Sequence, residues 1–146
     1  MKKVLIINGP NINLLGLREP DIYGAQSYDD LLTFISRVAL EAMMEVHCFQ
    51  SNSEGAIVDE IQRAYRRFDG IVINPAAYTH TSVAIPDALK AVGIPAIEVH
   101  LSDLNTREEY RQISYTSEAC HTTIMGKGFE GYREAIQILQ TIMDKR

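Results

Sequence analysis

The sequence predicts an α/β fold, a single doubly wound domain spanning 1–146 with a five-stranded parallel sheet covered by helices on both faces. Two observations carry this expectation. Short apolar runs that stop at polar or turn residues recur along the chain, and longer stretches of helical periodicity separate them. Strands divided by helices make parallel crossover units, whose sheets are buried on both faces and read as unbroken apolar runs. A length of 146 residues suits one domain able to bury its core without disulfides or metals.

The elements follow in order. Lys3-Val4-Leu5-Ile6-Ile7 is a buried strand stopped by Asn8-Gly9-Pro10. Ser27 followed by Asp30 has the spacing of a capped helix start, after which Leu31, Phe34, Ile35, Val38 and Ala42 recur on one face. Glu45 to Phe49 is a second strand, and Ile57, Ile61, Ala64, Tyr65 and Phe68 form the next helical stripe. Gly70-Ile71-Val72-Ile73-Asn74 makes a third strand, halted by Pro75. A short helix runs from Pro86 to Val92, with Pro86 placed at its first position because no N–H is needed there. Pro95 to His100 is the fourth strand and Thr122 to Met125 a weaker fifth. Tyr132 to Met143 closes the chain as a helix with Ala135, Ile136, Leu139 and Ile142 inward. Five strands at this rhythm suit the order 2-1-3-4-5, in which the first and third are neighbours where the order reverses. Ligands collect beyond the carboxyl ends of strands at that point.

Composition narrows the function. Hydrophobic residues make up 46% and charged residues 23%, with 19 Asp+Glu against 14 Lys+Arg for a net charge of −5. That excludes a disordered chain and disfavours a nucleic-acid partner, which wants a basic face. No apolar run is long enough to span a bilayer, and Asn8 follows Met1-Lys2-Lys3 too soon for a secretory signal. A small anionic ligand stays compatible, because a few arginines reverse the field inside a cleft. Cys48 and Cys120 have no CxxC spacing and read as buried free thiols in a reducing, cytoplasmic setting.

Candidate chemistry falls at the strand ends. The segment from Asn11 to Gln26 is too long for a turn and reads as a lid or binding loop. Within it, Tyr23 could offer a phenol and Arg18 the cation that stabilises its anion, or the two could form ordinary surface. His80 stands in a polar loop that need not contain a histidine for folding. His100 follows Glu98 at a spacing of two, so both lie on one face of a strand, where a carboxylate can orient an imidazole for acid work. Structural roles fit both histidines as well. His47 and His121 lack such context and read as surface or packing residues. Arg107 and Arg111 share a face if their segment is helical, fit to grip a carboxylate or a hydroxylated ring, or to sit in water with Glu108 and Glu109.

Other classes find no footing. There is no HExxH motif or cysteine cluster for zinc, no dinucleotide fingerprint or phosphate loop around Asn8-Gly9-Pro10-Asn11, and no serine in a nucleophile elbow. No metal and no organic cofactor is expected. The residues leave open an enzyme and a non-catalytic anion binder on the same scaffold. An electron carrier is disfavoured by a first loop without a phosphate cradle.

Several motifs then converge. Gly9-Pro10-Asn11-Ile12-Asn13-Leu14-Leu15-Gly16, Arg18-Glu19-Pro20 with Tyr23-Gly24, and Ser51-Asn52-Ser53-Glu54-Gly55 resemble those of the type II 3-dehydroquinate dehydratases. So do Asn74-Pro75-Ala76-Ala77-Tyr78-Thr79-His80-Thr81-Ser82, Glu98-Val99-His100-Leu101-Ser102, Arg107-Glu108-Glu109-Tyr110-Arg111 and Gly128-Phe129-Glu130-Gly131-Tyr132. The resemblance implies a flavodoxin-like three-layer sandwich. It also implies reversible, cofactor-independent dehydration of 3-dehydroquinate to 3-dehydroshikimate, in the shikimate route or in quinate catabolism. Under it Tyr23 is the base, Arg18 stabilises its charged state and Arg107 supports that region. Asn11 holds a water near the developing enolate oxygen, and His100, oriented by Glu98, is the acid. Asn74 and the N–H groups of Leu101 and Ser102 would meet the substrate carboxylate, and His80 and Arg111 its ring hydroxyls. Asp87 would reach a neighbouring subunit's site in a homododecamer built as a tetramer of trimers. The other dehydroquinate dehydratase class resembles a larger barrel that forms a Schiff base, so Lys90 and Lys127 are given no catalytic part.

The chain departs from the family pattern in places. Leu17 stands where threonine is frequent, and Pro86 where a basic residue is common. Asp103 and Asn105 replace the usual asparagine and histidine, and Lys127 brings charge to an apolar or small stretch. These bear on affinity and assembly more than on the reaction.

Overall fold

In the computed structural model, which describes residues 1–17 and 25–145, the strands are β1 (Lys3–Asn8), β2 (Glu45–Gln50), β3 (Gly70–Asn74), β4 (Ala96–His100) and β5 (Thr122–Met125). The helices between and after them are α1 (Tyr28–Glu41), α2 (Glu54–Arg63), α3 (Ala84–Val92) and α4 (Glu130–Asp144). All pairings are parallel and the sheet runs β2-β1-β3-β4-β5. The α/β class and the expected strand order both hold.

Residue parity builds the layers. Side chains alternate across a strand, so Val4, Ile6, Val72, Ile97, Val99 and Ile124 face one side and pack with α1 and α4. Leu5, Ile7, Ile71, Ile73 and Ala96 face the other and pack with α2 and α3. Two apolar cores back to back explain the unbroken apolar runs, since neither face of β1 or β3 meets water.

The helix boundaries have local causes. Ser27 accepts a hydrogen bond from the Asp30 N–H (3.1 Å), and the Asp30 carboxylate accepts one from the Ser27 N–H (2.9 Å), which is the reciprocal cap expected for α1. α3 begins two residues before the expected start. Pro86 is its third residue, still within the first turn, where the N–H groups have no partner inside the helix. The Ser82 hydroxyl caps this end by accepting from the Ile85 N–H (3.1 Å). α4 likewise starts earlier than expected, at Glu130. Tyr65, placed on the inner stripe from periodicity, is instead exposed, because α2 ends at Arg63 and the chain turns away. Cys48 is also corrected. β2 is an edge strand, and Cys48 is exposed on it rather than buried, while Cys120 is half-buried.

At the reversal point the ends of β1 and β3 are pressed together. The Gly9 N–H donates to the Asn74 carbonyl (2.8 Å), and a Cβ on Gly9 would stand 2.5 Å from the Pro75 carbonyl oxygen. Glycine is needed there because backbone approaches backbone. No helix among the described residues is long and apolar enough to cross a membrane.

Candidate active site

The loops after β1, β3 and β4 surround one cavity of about 200 Å³, at the carboxyl end of the sheet where strand order reverses. Asn11 comes from the first loop, Asn74 and His80 from the second, and His100, Leu101, Ser102, Arg107 and Arg111 from the third. Glu98 lies just beneath, bonded to His100. Asp87 is exposed in the first turn of α3 and does not line the cavity. Tyr23 and Arg18 lie outside the described residues.

Each wall residue is held by its neighbours. Asn11 takes a left-handed conformation (φ 69°), and its N–H donates to Asn52 Oδ1 (3.0 Å). Ala76 is left-handed too (φ 52°), a conformation costly for a residue with a Cβ. Asn74 Oδ1 holds that bend by accepting the Ala76 N–H (3.1 Å). Parity turns Asn8 and Asn74, register partners on β1 and β3, toward α4, where Tyr132 meets them. Asn74 Nδ2 donates to the Tyr132 hydroxyl (3.0 Å), which donates to Asn8 Oδ1 (2.6 Å). All three side chains are buried. The amide of Asn74 is therefore oriented from below, with one N–H of Nδ2 left for a ligand.

The acidic floor is unusual for its donors. Glu98 is fully buried and His100 nearly so. His100 Nε2 donates to Glu98 Oε2, which also accepts from Thr79 Oγ1 (2.9 Å) and Ser114 Oγ (2.7 Å). Thr123 Oγ1 donates to Glu98 Oε1 (2.9 Å). Burial alone would push the Glu98 carboxyl up. Its hydrogen bonds from His100, Ser114 and Thr79, with the charge of His100, outweigh that and hold it below the ordinary carboxylate range. With Nε2 committed to Glu98, Nδ1 is the nitrogen His100 has free for a ligand.

His80 is fixed differently. Its Nδ1–H donates to the Ile113 carbonyl (2.7 Å), leaving Nε2 as an acceptor toward the cavity. Burial, with the charges of His100, Arg111 and Arg107, holds its ring below the usual imidazole range. A neutral His80 can accept a hydrogen bond from a hydroxyl.

The arginine segment is not one helix, contrary to the condition set for it. Arg107 is extended between two short 3₁₀ turns, Leu104–Thr106 and Glu109–Arg111. Both arginines nonetheless reach the cavity, and Glu108 pairs with Arg111 (2.9 Å) and more distantly with Arg107 (3.9 Å). Arg107 Nη1 also donates to Ser102 Oγ (3.3 Å). The positions that depart from the family pattern are accommodated without entering this wall. Asp103 Oδ1 caps the first 3₁₀ turn by accepting the Asn105 N–H (2.9 Å), Lys127 pairs with Glu134, and Leu17 is exposed.

Thr79, Ser114, Thr123 and Tyr132 were not singled out from the sequence. Register supplies a usable signal for one of them, since Thr123 is the neighbour of Glu98 across β4 and β5. Among the described residues no three His, Cys, Asp or Glu side chains gather as metal ligands would. His47 lies apart from the cavity, paired with Glu45 (2.8 Å) and edge-on to Phe68.

The chemistry on offer is an imidazole paired with a buried carboxylate, cations for an anion, and acceptors and donors for hydroxyls. The family model "Dehydroquinase class II" matches residues 2–140. A 3-dehydroquinate dehydratase of Caldicellulosiruptor bescii is 56% identical over 99% of this chain and 100% of its own length. One from Clostridium acetobutylicum is 52% identical over 98% and 99% respectively. The crystal structure of a type II dehydroquinase from Butyrivibrio crossotus superposes with a TM-score of 0.93 at 53% identity, covering 94% of this chain and 97% of that one. On the family match and these near full-length relatives, the chain belongs to the class II dehydroquinases.

Proposed function

We propose that this chain is an enzyme that removes water reversibly from 3-dehydroquinate to give 3-dehydroshikimate, by proton transfers between its own side chains and the substrate. The observation that carries the reading is the His100–Glu98 pair set in a cavity that Arg107 and Arg111 also line. Family membership supplies the substrate, since the relatives carry that activity in their names.

In the mechanism we infer, Tyr23 as phenolate takes the proton from the carbon beside the ketone. A free tyrosine titrates near pH 10, so forming its anion at pH 7 costs on the order of 4 kcal/mol. The Arg18 guanidinium offsets part of that by favouring the charged form, with Arg107 supporting the same region. Asn11 holds a water against the developing enolate oxygen, where a fixed dipole is worth most. The second step must expel hydroxide, a poor leaving group, unless it leaves as water. Nδ1 of His100 supplies that proton, because Nε2 is held by Glu98. Asn74 and the N–H groups of Leu101 and Ser102 bind the substrate carboxylate. His80 accepts from a ring hydroxyl and Arg111 donates to one. Closure of the loop bearing Tyr23 excludes water and aligns the base.

The chain would work in the cytoplasm as a homododecamer, a tetramer of trimers, with Asp87 serving an adjacent subunit's site. The test is an assay with 3-dehydroquinate and no added metal or cofactor. The expected result is 3-dehydroshikimate, with Tyr23→Phe folded but losing most turnover and His100→Ala failing to complete elimination. Binding without product would make the chain an anion binder. Full turnover in either variant would remove that residue from its role.

A further inference from the structure

Glu98 is a fully buried carboxylate approached by three hydroxyls from three separate pieces of chain. Thr79 comes from the 3₁₀ turn Ala76–His80 after β3, Ser114 from the irregular segment before β5, and Thr123 from β5 itself. Thr79 is itself fully buried. The Ser114 oxygen accepts the Ser117 N–H (3.2 Å), which fixes its place beside the carboxylate. Thr79 Oγ1 and Ser114 Oγ lie 2.7 Å apart, so this pair shares its two protons between the carboxylate and one another, each hydroxyl having one to give.

Three consecutive residues are pinned to this floor. The Ile113 carbonyl takes His80 Nδ1–H (2.7 Å), Ser114 donates to Glu98, and the Tyr115 N–H donates to the Thr79 carbonyl (2.8 Å). The segment that carries Arg107 and Arg111 is thus tied down beside the acid.

We propose that Thr79, Ser114 and Thr123 are positioning residues, a hydroxyl cradle that keeps Glu98 in one orientation and one charge state and through it holds the His100 ring to its task. The inference rests on the functional reading above. Without the cradle a carboxylate in this place would be desolvated with too few donors, and its neutral form would gain. A protonated Glu98 no longer provides the charge that orients and supports the imidazole.

The charged and titratable neighbours of Glu98 are few. His100 is on its own strand, and Cys120 comes from the turn before β5. Burial, and after it the Glu98 charge, push the Cys120 thiol up to about 12, so it stays neutral across the working range. His80, Arg107 and Arg111 stand around the cavity above. The inner faces of β3 and α3 offer only apolar side chains, Ile71, Ile73, Ile85 and Leu89 among them.

The experiment replaces Thr123 by Val, which keeps the shape and removes the donor, with Thr123→Ser as the rescue. A hydrogen bond to a charged group is lost, so kcat falls about tenfold while KM changes little, and Ser restores it. Weakening the charged form raises the Glu98 pKa, so the acid limb of kcat moves to higher pH by about one unit. A folded Thr123→Val with wild-type kcat and an unmoved limb overturns the inference, as does a lowered melting temperature with the limb in place. If Thr123→Val does not fold, Ser114→Ala takes its place with the same criteria. A second readout is independent of turnover. Carbon-13 NMR of carboxyl-labelled glutamate, with Glu98 assigned through Glu98→Gln, should show its titration displaced upward in the variant, and an undisplaced titration counts against the cradle. Wild-type protein that fails to convert 3-dehydroquinate defeats the functional reading alone, and the NMR titration still decides the cradle.

Discussion

His80 ionises to a cation and Glu98 to an anion, yet both respond to acid in the same direction. The His80 ring is held low chiefly by burial, so the folded state resists a proton that the unfolded chain accepts near pH 6.5. Between its folded and unfolded values the unfolded state binds more protons, and stability falls as the pH drops through that window. At Glu98 burial works against ionisation, but the hydrogen bonds and the charge of His100 prevail, so its folded value lies low. Its stabilisation is present above the ordinary glutamate value of about 4.3 and is lost as the pH falls through the folded one. The two windows therefore open at different pH as acid is added, that of His80 first and that of Glu98 later. Thermal melts from pH 7.5 to 5.5 should show a falling midpoint for the wild type and a smaller fall for His80→Gln. Equal slopes would assign the upper window to another group.

At the scale of elements, the site depends on the ends of β1 and β3 standing closer than side chains allow. Gly9→Ala places a Cβ 2.5 Å from the Pro75 carbonyl oxygen, and backbone rather than a flexible side chain must yield. The cost expected is about 1–3 kcal/mol, as for other overpacked positions, with a looser cavity wall at Asn74, whose carbonyl takes the Gly9 N–H. Gly55→Ala is the control. It lies in α2, its nearest neighbour would be Ser53 Oγ at 3.9 Å, and alanine favours helix. Urea midpoints should separate the two, lower for Gly9→Ala and unchanged or higher for Gly55→Ala. This level of structure was readable in the residues. The apolar runs of β1 and β3, the Ser27–Asp30 cap and the polar strand ends follow local rules, and they led to the crevice lined by Asn74, His80 and His100. The floor of that crevice was not readable. Thr79 and Ser114 carry no periodic signal, Thr123 is reached only through the register of β4 with β5, and Tyr132 reads as one more inward helix residue until parity brings Asn8 and Asn74 against it. Hydroxyls gain meaning only from what the fold sets opposite them.

For the whole molecule, the single chain leaves apolar side chains in water beside its own cavity. Ile113, 56% exposed, belongs to the residue whose carbonyl binds His80, and Tyr110, 65% exposed, lies against the Arg111 guanidinium. Val83, 58% exposed, opens the helix that presents Asp87 outward. An apolar margin costs stability in a monomer and is relieved when a second surface covers it. A dodecamer built as a tetramer of trimers would supply such cover and give Asp87 a partner outside its own chain, which is why that assembly accompanies the proposed function. Native mass spectrometry at working concentration should give the twelve-chain mass. Asp87→Asn should then raise KM for 3-dehydroquinate several-fold with the mass unchanged, because the residue would act across the subunit boundary on a neighbour's site. A stable monomer with full activity would leave the exposed margin without a covering subunit and confine Asp87 to the surface of α3.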